Sequence, residues 1–189
     1  METLIAHIRN YIPLDPEEVS LLSSCFEKQQ YSKKELLLEA GKNCNSLYFV
    51  SRGCLRLYIL NQKGTEQTIQ FAIENWWLTD YLSFSHDKPS AFAIQAVENS
   101  EILCITKEAR ETLFQRIPKL ERYFRIVLQL SYGASQMRIN YLFTMSAEER
   151  YHHFNAKFPE FVQRIPQYML ASYLDFTPEF LSKIRAGKP

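Results

Sequence analysis

The sequence predicts an α+β fold: an antiparallel β-domain with flanking helices, then a long helix, then a small all-helical C-terminal domain. Three observations predict it. Short strand-type runs crowd between about residues 35 and 106. An apolar period of three and four runs over about 118–143. Two helix starts separated by a tight turn follow Gln163. With 189 residues, 46% hydrophobic and 23% charged, the chain is globular and long enough for one good core, or one medium and one small.

Residues 1–30 read as helical. Leu4, Ile5 and Ile8 make one stripe, and Asp15-Pro16-Glu17-Glu18 opens a second helix, with a cap, a first-turn proline and acids facing the positive end of the dipole. Leu21, Leu22 and Phe26 are its expected buried side. The runs LLLEAG, SLYFVSRG, CLRLYILN, TEQTIQFAI, AFAIQAVE and EILCIT then read as strands, with Gly41, Gly53 and Gly64 at the turns. Asn61-Gln62-Lys63-Gly64 suits a hairpin loop. Many short antiparallel strands suggest a sandwich, barrel or roll.

Lys107 to Gln115 reads as a short helix, and Pro118 opens a long one reaching about Phe143. Leu120, Phe124, Val127, Leu130, Ala134, Met137 and Tyr141 recur along it at steps of three and four. The stripe outlasts what a small β-domain covers, so this helix is expected to pack against a second copy of itself. Ser146 and Glu149 form a capping box for a helix that runs to about Phe158, ahead of Pro159.

In the closing segment, RIPQYMLASYLDFTPEFLSKIRAGKP from Arg164, Pro166 starts a helix whose buried side includes Met169, Leu170, Ala171 and Leu174. Asp175-Phe176 makes the turn. Thr177 caps a second helix with Pro178 in its first turn, Phe180, Leu181 and Ile184 facing inward, and Gly187 at its end. Two short helices so joined are a DNA-reading unit, or a helical hairpin that only packs. In the first reading Glu179, Ser182, Lys183 and Ala186 point outward. Glu accepts from cytosine N4 and Lys donates to guanine O6 or N7. Arg164, Arg185 and Lys188 are placed for phosphates.

Composition narrows the rest. A net charge of +1 argues against a uniformly basic coat but leaves room for a local basic patch. Cys25, Cys44, Cys54 and Cys104 lack the tight spacing of a metal or cluster site, and four reduced thiols fit a cytoplasmic protein. No run approaches eighteen apolar residues, and METLIAHIRNYIPLDPEE is too polar for a signal peptide, so no membrane partner is expected. No GxGxxG, P-loop or HExxH motif occurs. The pairs Glu148/His152 and Glu149/His153 read as a solvated helix face rather than a metal site, and His7 and His86 stand alone. The chain is therefore expected to be no enzyme and to require no cofactor.

The stretches LLLEAGKNCNSLYFVSRGCLRLYILNQKGTEQTIQF and IPQYMLASYLDFTPEFLSKIR, in this order and spacing, resemble the Crp/Fnr family of bacterial transcription regulators. The resemblance implies a cyclic-nucleotide-binding-like β-roll of jelly-roll type with its N-terminal helices over 1–116, a dimerisation helix over 117–144, and a helix-turn-helix over 145–189. It implies a homodimer on a two-fold operator of double-stranded DNA, with RNA polymerase as partner. Phe124, Val127, Leu130, Ala134, Met137 and Tyr141 would carry the dimer, and Thr177 joins the DNA-facing residues. In cyclic-AMP-binding members a Gly-Glu pair holds the ribose and an Arg-Ser-Ala run the phosphate. Here the Gly-Glu becomes Thr79-Asp80, and Pro89 stands for the arginine before Ser90 and Ala91. Proline offers neither charge nor N–H. Asp87 would repel an anion, while Lys88 offers a lone positive charge. Thr79, Asp80, Tyr81, Lys88, Ser90 and Ala91 thus outline an effector pocket whose effector is expected not to be cyclic AMP. Trp76, Trp77, Tyr81 and Phe84 line an apolar pocket or simply belong to the core. The chain ends at Pro189, before the β-hairpin wing that family members commonly carry, so a wingless reader is expected. The alternative is a cyclic-nucleotide or other small-ligand module that does not bind DNA.

Overall fold

The computed structural model describes residues 1–62 and 64–187. In chain order they form α1 (Glu2–Arg9), α2 (Pro16–Ser24), β1 (Glu27–Tyr31), β2 (Leu36–Leu38), β3 (Ser46–Arg52), β4 (Leu55–Leu60), β5 (Glu66–Ala72), β6 (Trp77–Leu78), α3 (Tyr81–His86), β7 (Ala93–Ala96), β8 (Ser100–Thr106), α4 (Lys107–Arg116), α5 (Lys119–Thr144), α6 (Ala147–Lys157), α7 (Pro159–Arg164), α8 (Gln167–Leu174) and α9 (Pro178–Arg185). The α+β class and the long helix are as the sequence predicts. Lys63, within the predicted hairpin loop, lies outside the described residues.

The chain divides into two compact units, one of residues 1–59 and 70–128, the other of 60–69 and 129–189. The first holds two four-stranded sheets, ordered β1-β8-β3-β6 and β2-β7-β4-β5. One face of the first sheet presents Leu47, Phe49, Leu103 and Ile105 to Leu4 and Ile8 of α1, Leu22 of α2, Leu113 of α4 and Leu120 and Tyr123 of α5. Strand alternation sends Tyr48, Val50, Ile102 and Cys104 to the other face, where they are buried too. With both faces covered, β3 and β8 read as continuous apolar runs.

Local chemistry sets the element ends. α2 begins at a complete capping box, with the Asp15 carboxylate accepting from the Glu18 amide at 2.9 Å and the Glu18 carboxylate from the Asp15 amide at 2.9 Å. The Ser146/Glu149 box at α6 is likewise complete. Between β3 and β4, Gly53 has φ +105°, and a Cβ there would stand 2.8 Å from the Ser100 Cα, so only glycine fits.

Four elements depart from the sequence reading, among them the two-residue strand β6 (Trp77–Leu78), which pairs antiparallel with β3. Residues 27–31 are strand rather than helix: Glu27–Tyr31 pairs antiparallel with β8 from Glu27↔Cys104 to Tyr31↔Ser100, and tertiary pairing overrides a polar sequence. α3 forms where only the cassette had been marked. α7 forms at Pro159, between the helix expected to end at Phe158 and the pair expected after Gln163.

In the second unit, Tyr151 of α6, Leu170, Ala171 and Leu174 of α8, and Leu181 and Ile184 of α9 make one small core. Ala171 is fully buried there, consistent with the close helix approach its small size allows.

Candidate functional site

Two sets of residues were marked by the sequence, the cassette in the first unit and the helix pair in the second.

In the cassette, Asp80 is the N-cap of α3. Its Oδ1 accepts from the amides of Leu82 (3.0 Å) and Ser83 (3.2 Å), and its Oδ2 accepts the Ser90 hydroxyl at 2.6 Å. The Ser90 hydroxyl also accepts the Phe92 amide at 3.0 Å. Thr79 donates to the Ser46 carbonyl at 2.9 Å and lies 3.2 Å from the Cys44 sulfur. Thr79, Asp80 and Ser90 are all buried, and their polar atoms bond to the protein itself. Ser83, which the sequence did not mark, ties the cassette together by accepting the Cys44 amide at 2.8 Å and donating to the Lys88 carbonyl at 2.5 Å. Tyr81, Lys88, Pro89 and Ala91 are exposed, so the structure does not gather them with the buried trio. Asp87, expected to repel an anion, instead pairs with Lys107 at 2.8 Å. Of the four aromatics, Trp77 and Phe84 are core, whereas Trp76 and Tyr81 reach the surface.

A cavity of about 280 Å³ opens beside β1 and β3, lined among others by Glu27, Gln29, Tyr31, Tyr48 and Cys104. The Tyr31 hydroxyl donates to Gln29 Oε1, and the Cys104 thiol reaches the same oxygen at 3.4 Å. Burial pushes both groups up to about 12, so both stay protonated at neutral pH. Tyr48 donates to the Leu37 carbonyl at 3.3 Å. These lining groups therefore supply one another's hydrogen bonds.

In the helix pair, Asp175 ends α8 in the left-handed conformation (φ 63°, ψ 52°), and its amide bonds back to the Ser172 carbonyl at 3.4 Å. This is the turn the sequence placed at Asp175-Phe176. Thr177 caps α9 by accepting the Phe180 amide at 3.2 Å. Leu181 and Ile184 are buried, while Glu179, Ser182, Lys183, Arg185 and Ala186 are exposed. The acid sits in the first turn of α9 and the bases in the last, each complementing the helix dipole. Arg164 lies at the end of α7, half-buried, rather than at the start of α8. Lys188 lies outside the described residues.

The predicted dimer stripe splits. Phe124 is buried against its own β-domain, and Val127, half-buried, packs there too. Tyr141 packs against His153 with ring centroids 4.6 Å apart and planes tilted by 58°. Leu130, Ala134 and Met137 are exposed. A second stripe went unnoticed in the sequence. Leu128, Tyr132, Ile139 and Phe143, spaced four, seven and four apart, lie on the opposite side of α5 and are exposed, Phe143 by 86%. The heptad-like spacing was the signal that would have found them.

No helix among the described residues is long and apolar enough to cross a membrane. Among the same residues no group of three or more metal-ligating side chains gathers.

A family model described as "Cyclic nucleotide-binding domain" matches residues 28–117. The "Anaerobic regulatory protein" of Haemophilus influenzae is 25% identical over 183 residues, covering 90% of this chain and 70% of that protein. The "Fumarate and nitrate reduction regulatory protein" of Vibrio cholerae is 28% identical over 138 residues, covering 72% of this chain and 54% of that protein. The chain thus spans from about half to 70% of these relatives' length. Among solved structures, FixK2 from Bradyrhizobium japonicum shares the fold with a TM-score of 0.74 at 15% identity, covering 86% of this chain and 83% of that one.

Proposed function

We propose that the chain is a DNA-binding transcription regulator of the Crp/Fnr type that acts as a homodimer on a two-fold operator, a reading supported by its cyclic-nucleotide-binding-domain match and its likeness to bacterial regulatory proteins. One observation carries the reading. Leu181 and Ile184 anchor α9 to α8, which leaves Glu179, Ser182 and Lys183 exposed on one face of a helix the width of a major groove. Glu179 and Lys183 read base edges, while Arg185 and Arg164 position the backbone. The exposed stripe of Leu128, Tyr132, Ile139 and Phe143 receives the second copy, and RNA polymerase is the downstream partner.

The relatives are named as regulatory proteins, and the activity proposed here is binding rather than catalysis, carried out in the cytoplasm without a required cofactor. The effector is not a cyclic nucleotide. The carboxylate and hydroxyl nearest the expected ribose and phosphate positions bond to each other and to α3, and Pro89 supplies no positive charge.

The test is a mobility-shift titration against mixed genomic fragments at two salt concentrations. Selective retention that persists at the higher salt is expected. Lys183→Ala should weaken selected fragments about tenfold or more and random fragments much less. Equal losses on both would move Lys183 to a phosphate-contacting role, and no retention even at low salt would leave a ligand module without DNA binding.

A further inference from the structure

Strand alternation puts Glu27, Gln29 and Tyr31 on one face of β1, and Lys28 and Gln30 on the other. The register sets Glu27 opposite Cys104, and Cys104 opposite Tyr48, so these three side chains make one rung across β1, β8 and β3. The rung walls the cavity of about 280 Å³, and Leu37 of β2 and Ser46 of β3 help to close it. β1 is the edge of one sheet and β2 the edge of the other, so the cavity lies between two edge strands. Its lining belongs wholly to the first compact unit, and Thr79, Asp80 and Ser90 are not part of it. The cavity is a site apart from the cassette.

Two properties of the wall set what it can hold. The first is charge. Glu27 is the one acidic or basic side chain among the described lining residues, and no cation pairs with it among the described residues. Its field reaches inward: burial, and then the Glu27 charge, push the Cys104 thiol up to about 12. An edge strand can carry an inward charge merely to deter pairing with another sheet. That role needs no cavity, and here a cavity stands beside the charge. The second property is the direction of the protons. The Tyr31 hydroxyl and the Cys104 thiol both donate to Gln29 Oε1, and the Tyr48 hydroxyl donates to the Leu37 carbonyl. Both phenol protons are thus committed within the wall, and the phenolic oxygens keep lone pairs. The Gln29 side-chain nitrogen is a neutral donor and the Ser46 hydroxyl turns either way, so charge decides the class of occupant.

We propose that this cavity binds a small organic ammonium ion, with the Glu27 carboxylate as its counter-charge and Tyr31 and Tyr48 as its neutral walls. The ammonium brings the N–H donors that a carboxylate and two phenolic oxygens lack, and the two phenol rings add a cation–π attraction. The volume lies below the roughly 300–1,000 Å³ of drug-sized sites, which limits the ligand to a few carbons. An anion would meet the Glu27 charge. No group of three or more metal-ligating side chains gathers among the described residues, which sets a metal ion aside. The site goes beyond the DNA-reading function and does not depend on it.

The test is an amide NMR titration of the full chain at neutral pH and fixed ionic strength. The probes are butylamine and ethanolamine, with butanol and butyrate as the neutral and anionic analogues. Saturable shifts at Glu27, Gln29, Tyr31 and Cys104 are expected with an amine, and not with butanol or butyrate. Glu27→Gln keeps the size of an exposed side chain and removes its charge, so the protein should fold and bind the amine about tenfold more weakly. Glu101→Gln removes an equal charge from the salt bridge to Lys28 on the other face of the sheet, and should leave binding within about twofold. Shifts that never saturate with either amine overturn the proposal. So does unchanged affinity in Glu27→Gln, or an equal loss in the two variants, which would reduce the effect to general surface charge. Butanol that binds as tightly as butylamine overturns the ammonium class, leaving a neutral polar cavity.

Discussion

At the scale of single residues, the cassette shows how a position can be legible while its role is not. Sequence marked Thr79, Asp80 and Ser90 by their place in the chain. It carried no sign that Asp80 would cap a helix of six residues, or that its second oxygen would take the Ser90 hydroxyl, because both contacts depend on α3, which the sequence did not show. Those contacts lead to a measurable outcome. A ligand at a hundredfold excess over its dissociation constant stabilises by about 2.7 kcal/mol, which for a chain of this size raises the melting temperature by about 5–10 °C. Cyclic AMP and cyclic GMP at millimolar concentration are expected to raise it by less than about 1 °C, and a rise of several degrees at micromolar nucleotide would show that the cassette rearranges to admit it. A second residue gives a pH dependence. The Trp77 indole N–H donates to the Tyr123 hydroxyl at 2.8 Å, and that hydroxyl meets His7 Nδ1 at 2.8 Å. Burial lowers the His7 pKa below its usual 6.5 and so favours the neutral ring. Unfolding restores the ordinary value, so between 6.5 and the lowered pKa the unfolded chain binds more protons. This contribution to stability is fully present above pH 6.5 and is lost as pH falls through that window. The urea midpoint should drop on going from pH 7 to pH 5, and the drop should shrink in His7→Gln. A pH slope identical in the two proteins would remove His7 from the account.

At the scale of elements, the sequence was informative wherever an element carries its own start signal. The Asp15-Pro16 start of α2, the Ser146/Glu149 capping box, the Thr177-Pro178 start of α9 and the length of α5 were all legible. β1 was not, since Glu27–Tyr31 is strand only because β8 pairs with it. α5 shows a subtler limit. Periodicity finds apolar positions but not what covers each face, and a helix that serves three neighbours carries three overlapping stripes. Its first turns pack on the β-domain through Leu120, Tyr123 and Phe124, and its last turns touch the helical unit through Arg138 and Tyr141. Neither covers the face of Leu128, Tyr132, Ile139 and Phe143, nor that of Leu130, Ala134 and Met137. Phe143→Glu places a charge in the proposed seam at a side chain 86% exposed in the monomer, so the protein is expected to stay folded, to sediment as a monomer and to melt at a temperature that no longer depends on protein concentration. Met137→Glu, on the other exposed stripe, should leave the dimer in place. Monomerisation by Met137→Glu and not by Phe143→Glu would return the interface to the stripe first read from the sequence.

At the scale of the whole molecule, a net charge of +1 constrains how DNA is held. A nearly neutral protein gains little from long-range attraction, so its affinity depends on a few local cations and on presenting two copies of α9 at once. Around α9 those cations are Lys183 and Arg185, with Arg164 on α7. Lys183 being spent on bases, Arg185 and Arg164 leave about two phosphate contacts per copy, so the dimer releases about four counterions, and log affinity should fall against log salt with a slope of about −3.5. Linked reading heads add a second consequence. Two recognition helices related by two-fold symmetry meet successive major grooves about 34 Å apart, so hydroxyl-radical cleavage should show two protected patches about one helical turn apart. Phe143→Glu ties the two measurements together. A monomer holds one half-site with about half the phosphate contacts, so its slope should fall to about −2 and its second patch should disappear at protein concentrations that still protect the first. If the variant kept both patches and the full slope, the two heads would be joined by something other than α5, and the dimer assigned to its exposed face would be wrong even though the reading helix remained right.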